Sequence, residues 1–175
     1  MSEGGIGAGV AAFGRRIVPG FTLVLLVFLT HLHVPIPHFS DIAPALPLMG
    51  IYYWVVFRPD LMPRVLVFAV GLFQDALIGA PFGLTALVYL VAHSFVLSQR
   101  RYIVGKPFWI FWAGFAIVAP AAGALTWMLA SALRGAVLPG DVVLASVVLT
   151  VFVFPLVAWL LLRMQRWLVG AAEPA

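Results

Sequence analysis

The chain of 175 residues has no cysteine and little charge: ten Lys and Arg, six Asp and Glu, together 9% of the sequence. Without cysteine there is no disulfide, no thiolate metal site and no thiol nucleophile. A soluble domain carries roughly 25% charged residues to face water. This chain is too poor in polar side chains to clothe such a surface. A soluble globular domain, a disordered tail and a disulfide scaffold are thereby excluded. Strict apolar–polar alternation, which a transmembrane barrel needs, is also missing. What is present is apolar: 64% hydrophobic residues and a mean hydropathy of +1.13. The composition predicts an all-α integral membrane protein. The net charge of +4 and pI near 10.1 fit Lys and Arg gathered in cytoplasmic loops, and no nucleic-acid partner is expected.

Six apolar segments are read as six transmembrane helices, from about Ile17 to Val34, Ala43 to Phe57, Leu61 to Ala80, Phe82 to Gln99, Pro107 to Leu133 and Val142 to Leu162. A helical span needs about 20 residues, so six leave short loops and no room for a soluble catalytic domain. The expected organisation is a cytoplasmic tail over 1–16, one transmembrane domain over 17–167 and a cytoplasmic tail over 168–175. Residues 1–14 are Gly-rich and read as a mobile tail. Arg15-Arg16 precedes an apolar run with no small-residue cleavage site after it, so the first helix reads as a retained anchor. Asp60 and Asp141 stand at expected N-caps of the third and sixth helices. Pro63, Pro81 and Pro107 lie near first turns, and Pro120 and Pro155 are expected to kink their helices.

Charge sets the orientation. With six spans and the N-terminus inside, Arg15, Arg16, Arg58, Arg64, Arg100, Arg101, Lys106, Arg163 and Arg166 fall on the cytoplasmic side and only Arg134 outside, nine to one. Omitting the second span gives seven to three at best. Positive charge collects on the cytoplasmic side, so both termini are placed there. The nine inner residues are topology determinants, with contact to anionic lipid as a second role. Tyr52, Tyr53, Trp54, Trp109, Trp112, Trp159 and Trp167 are expected near the inner interface and Trp127 near the outer one.

Asp75 is the one acidic residue deep in an apolar segment, and Gln74 stands beside it. A charged Asp at mid-bilayer costs ~2.5–3.5 kcal/mol on insertion scales, so such residues face protein or water. Two readings are open. Asp75 is a site for an ion, a proton or a partner, or it accepts hydrogen bonds from the free N–H groups opening the fourth helix near Phe82 to Leu84. Gly71, Asp75, Gly79 and Gly83 recur at intervals of four. Gly71 and Gly79 remove side chains from one helical stripe and admit close approach of another helix, within the chain or from a partner. Gly79-Ala80-Pro81 turns the chain, and Gly83 lets the fourth helix pack back.

Chemistry is otherwise sparse. His31, His33, His38 and Asp41 cluster near the first loop, but His31 and His33 do not share a helical face, and an interfacial loop is the better reading than a metal site. His93 lies about 10 Å deeper than Asp75 by helical rise, too far to pair with it. No Gly-x-Ser-x-Gly elbow, no His-Glu-x-x-His, no phosphate-cradling loop and no carboxylate pair is present. The small residues of the fifth helix, Gly114, Ala119, Ala122 and Gly123 among them, are close-packing material. No enzyme activity and no cofactor are expected.

The second to fourth helices resemble the rod shape-determining membrane protein family MreD. The likeness rests on Arg58-Pro59 after Tyr52-Tyr53-Trp54, and on Gly71-Leu72-Phe73-Gln74-Asp75 followed by Gly79, Pro81 and Gly83. It covers about residues 45–101; the other helices match in hydropathy and size only. The resemblance implies a non-enzymatic scaffold of the bacterial elongation machinery in the inner membrane, supporting peptidoglycan synthesis. The implied partners are the bitopic MreC and, through it, MreB, the glycosyltransferase RodA and a transpeptidase. It further implies that Gly71, Gln74, Asp75, Gly79, Pro81 and Gly83 form a packing or partner interface. The family also resembles, in its six-helix architecture, the membrane-embedded substrate-binding subunits of vitamin importers. A small-molecule binding subunit is therefore the alternative. Those subunits usually dock through Ala-x-x-x-Ala in their first helix, whereas this helix reads Phe21-Thr22-Leu23-Val24-Leu25-Leu26-Val27.

Overall fold

The computed structural model describes residues 4–31 and 43–170. They form helices α1 (Gly4–His31), α2 (Leu46–Phe57), α3 (Arg64–Ile78), α4 (Leu84–Ile103), α5 (Phe108–Arg134) and α6 (Gly140–Gly170), with a 3-10 turn at Pro59–Leu61. No strand occurs among the described residues. The expected interfacial loop with His33, His38 and Asp41 lies outside them, as do the side chains of His31, Arg15, Arg16, Arg166 and Trp167. α1 begins at Gly4, so the helix takes in most of the segment read as a mobile tail.

α2 is the axis of the bundle. Every residue from Leu46 to Val56 is buried, and apolar residues surround the helix on all sides. A helix apolar all round is one enclosed by protein; α1, α4 and α6 pack on it most extensively. Tyr52, Tyr53 and Trp54 are accordingly at most 2% exposed. They are core anchors and not interfacial residues, which corrects the sequence expectation. Tyr52 packs tilted or edge-on against Phe111, Phe115 and Phe154, and its hydroxyl donates to the Phe111 carbonyl at 2.9 Å. Trp109 and Trp159, at 65% and 55%, do face outward.

Two helices, over Phe108–Arg134 and Gly140–Gln165, are long and apolar enough to cross a membrane, by length and composition. Only 28% and 22% of their most apolar stretches is buried in the protein. A core helix of a water-soluble protein would be mostly enclosed; these turn Ile117, Met128, Leu144, Phe152 and Leu156 outward. Such a surface suits an apolar solvent. Of the other expected spans, α2, α3 and α4 are shorter or more polar as helices. α2 and α3 have 12 and 15 residues, rising about 18 and 22 Å against a hydrocarbon core of about 30 Å. α4 closes on Arg100 and Arg101.

The two expected aspartate caps are corrected. Asp60 lies in the 3-10 turn, paired with Arg58 at 3.5 Å, and Pro63 is the residue before α3. Asp141 sits inside the first turn of α6. There its charge still favours the positive end of the helix dipole. Pro120 and Pro155 lie within unbroken helices.

Candidate functional site: a stapled hairpin and the chamber beside it

α3 and α4 form the most extensive helix pair, joined by a short turn at 79–83. Gly71 is where they touch. A Cβ built on it would overlap the Ala86 backbone, lying 2.7 Å from the amide nitrogen and 2.9 Å from the Ala86 Cβ. Only glycine admits this approach, as the small-residue stripe predicted.

Gly79 serves the turn expected of Gly79-Ala80-Pro81, and neither it nor Gly83 serves the close helix contact also expected of them. A Cβ on either would meet nothing within 4 Å. Both have positive φ, 63° at Gly79 and 94° at Gly83, a conformation that L side chains resist. They reverse the chain rather than admit a neighbour. Pro81, exposed between them, takes no part in the α3–α4 seam but its carbonyl accepts the Leu84 N–H at 3.1 Å.

Asp75 closes the hairpin. It is fully buried. Its Oδ2 accepts the Gly83 N–H at 2.9 Å and its Oδ1 accepts the Thr85 N–H at 3.1 Å. Gly83 is the N-cap of α4 and offers no side chain to satisfy the first turn. Asp75 therefore supplies from α3 the acceptor that a capping side chain would give, and a carboxylate at a helix N-terminus is also favoured by the dipole. The Asp75 main-chain carbonyl accepts the N–H groups of Gly79 and Ala80. One residue thus answers four backbone donors of the turn. Beside it, Gln74 Oε1 accepts the Tyr89 hydroxyl at 2.7 Å, a second rung between the helices.

A second polar clip joins α6 to the extended segment before α2. The Ala45 N–H donates to Thr150 Oγ1 at 3.0 Å, and the Ser146 hydroxyl donates to the Ala43 carbonyl at 2.6 Å. Ser146 and Thr150 are one turn apart on α6 and were not singled out from the sequence; hydroxyls at this spacing in an apolar helix are the signal that was available.

Between the hairpin and this clip lies a chamber of about 360 Å³. Its walls include Gln74, Ile78, Thr85 and Tyr89 from α3 and α4, and Thr126, Val143, Ser146 and Thr150 from α5 and α6. Gly123 lines it too, with Val147 where a Cβ would go.

The described basic residues other than Arg134, which closes α5, gather at the opposite end. Arg58 follows α2, Arg64 opens α3, Arg100 and Arg101 close α4, Lys106 precedes α5 and Arg163 lies late in α6. Arg100 Nε donates to the Val56 carbonyl at 3.4 Å, and Arg101 lies over the Tyr102 ring. His93 is far from Asp75 in role as well as position: its Nε2 is 3.0 Å from the Met62 carbonyl. No family model, curated protein or solved structure matches the chain.

Proposed function

We propose that the chain is a non-enzymatic membrane scaffold of the MreD type, which supports peptidoglycan synthesis at the bacterial inner membrane by associating with MreC. MreB, RodA and a transpeptidase would be reached through MreC. The observation that supports this reading most is the use made of Asp75. Both carboxylate oxygens are taken by main-chain donors of the neighbouring helix. The motif thus makes shape, and it holds the α3–α4 pair as a rigid unit against which a partner helix can pack. The accompanying topology is six membrane-embedded helices with both termini cytoplasmic. α2 would be enclosed by its neighbours and need not match the bilayer thickness alone. Reporter fusions after Asp41, Ala80 and Pro139 should read periplasmic, and those after Asp60 and Gly105 cytoplasmic. Recovery of MreC from native membranes in mild detergent tests the partner; a folded chain that brings down no MreC would refute it.

A second reading, a small-molecule binding subunit of an importer, has one observation in its favour: the chamber with hydroxyl and amide groups in its wall. Uptake of a solute that depends on this chain and on an energising partner would be its test.

A further inference from the structure

The hydroxyl and amide groups around the chamber divide by what each has left to offer. On the α3–α4 wall, the Gln74 carbonyl oxygen is occupied by Tyr89. Its amide nitrogen, with two N–H donors, has no partner among the described residues. The Thr85 main-chain N–H is committed to Asp75, while its hydroxyl has no partner among them. This wall therefore has donors to spare, and the Thr85 hydroxyl can accept as well. On the facing α5–α6 wall, the hydroxyl protons are already committed. Thr126 donates to the Ala122 carbonyl at 2.9 Å, Ser146 to Ala43 and Thr150 to the Ser146 carbonyl at 2.6 Å. Thr150 also accepts from Ala45. Thr126 and Ser146 keep lone pairs, so this wall presents acceptors. Among the described residues, none of a charged type lines the chamber. Ile78, Val88, Val143 and Leu48 supply the apolar surface between.

We propose that this chamber is a binding site for a small uncharged molecule with an amide- or lactam-type carbonyl at one end and a hydroxyl or N–H donor at the other. The carbonyl faces Gln74 and Thr85; the donor faces Thr126 and Ser146. The volume falls within the range of about 300–1,000 Å³ usual for small-molecule sites. An anion is disfavoured because no cation lines the wall among the described residues, and an ion entering an apolar site unpaired is strongly penalised. The inference deepens the importer-type reading by naming its ligand class, and it holds equally for a scaffold that carries a ligand.

The test uses the full chain in detergent and three probes of one shape, followed by saturation-transfer NMR. 4-Hydroxybenzamide should bind. 4-Hydroxybenzoate, its anionic counterpart, should bind at least tenfold more weakly, and 4-methylbenzamide, lacking the far donor, should fall between. Thr126→Phe should fill the chamber and abolish binding. Thr85→Val, which removes only an unpartnered hydroxyl, should weaken it with folding intact. Equal binding of the benzoate, or binding indifferent to both substitutions, would overturn the site. If binding holds but no solute uptake depends on the chain, the importer reading fails and the site stands.

Discussion

Gly71 of α3 and Ala86 of α4 meet backbone to backbone, at a separation that leaves no room for a methyl group on Gly71. Four residues on, Asp75 caps the helix that begins just before Ala86. The two contacts depend on each other. The close approach brings the carboxylate within reach of the Gly83 and Thr85 amides, and the hydrogen bonds hold the helices at that distance.

Gly71→Ala should cost ~1–3 kcal/mol, the usual penalty of overpacking, because the neighbouring atoms are main chain and cannot rotate away. Gly71→Leu should cost more and lower the yield of monodisperse protein. Thermal unfolding in detergent measures the first and size-exclusion chromatography the second.

Asp75 variants should rank by the number of acceptors left. Asparagine has one carbonyl oxygen, so Asp75→Asn can answer only one of the two amides and turns an NH2 group toward the other. Each buried donor left unmet costs ~1–3 kcal/mol. Stability should fall from wild type to Asp75→Asn to Asp75→Leu, read as the order of unfolding midpoints.

Gly79 should tolerate size and not conformation. Gly79→Leu has open space around it but must hold a left-handed backbone, costing ~1–2 kcal/mol. Gly79→Asn should cost less, since asparagine visits that region more readily. If Gly79→Asn were as harmful as Gly79→Leu, the turn conformation would not be the reason for this glycine.

Much of this was legible in the sequence, and the failures have physical causes. The spacing of Gly71, Asp75, Gly79 and Gly83 located the hairpin, and the lone carboxylate pointed to unmet amides at the start of α4. Spacing alone does not tell a glycine kept for contact from one kept for its φ angle: Gly79 reads as part of both the contact stripe and the turn, and only the turn needs it. Tyr52, Tyr53 and Trp54 read as interfacial because the charge-derived topology brings them to the inner end, where amphipathic rings favour the headgroup level. The absence of any polar face on α2 was the better guide, since it requires enclosure. The chamber was not legible, because its wall draws on helices distant in sequence.

The Ser146–Thr150 clip should matter for docking the segment before α2. Thr150→Val removes the acceptor of the Ala45 amide and should cost about 1 kcal/mol. Hydrogen exchange at the Ala45 amide should rise in this variant while exchange within the α3–α4 seam stays unchanged.

The scaffold reading is tested most directly by recovering MreC with the chain from native membranes in mild detergent, alongside the folded yield of each variant. Wild type and Gly79→Asn should bring down MreC to similar extents, and Asp75→Leu and Gly71→Leu should lose it as the hairpin loosens. A well-folded wild type that recovers no MreC, or an Asp75→Leu variant that keeps full recovery despite a loosened hairpin, would contradict it.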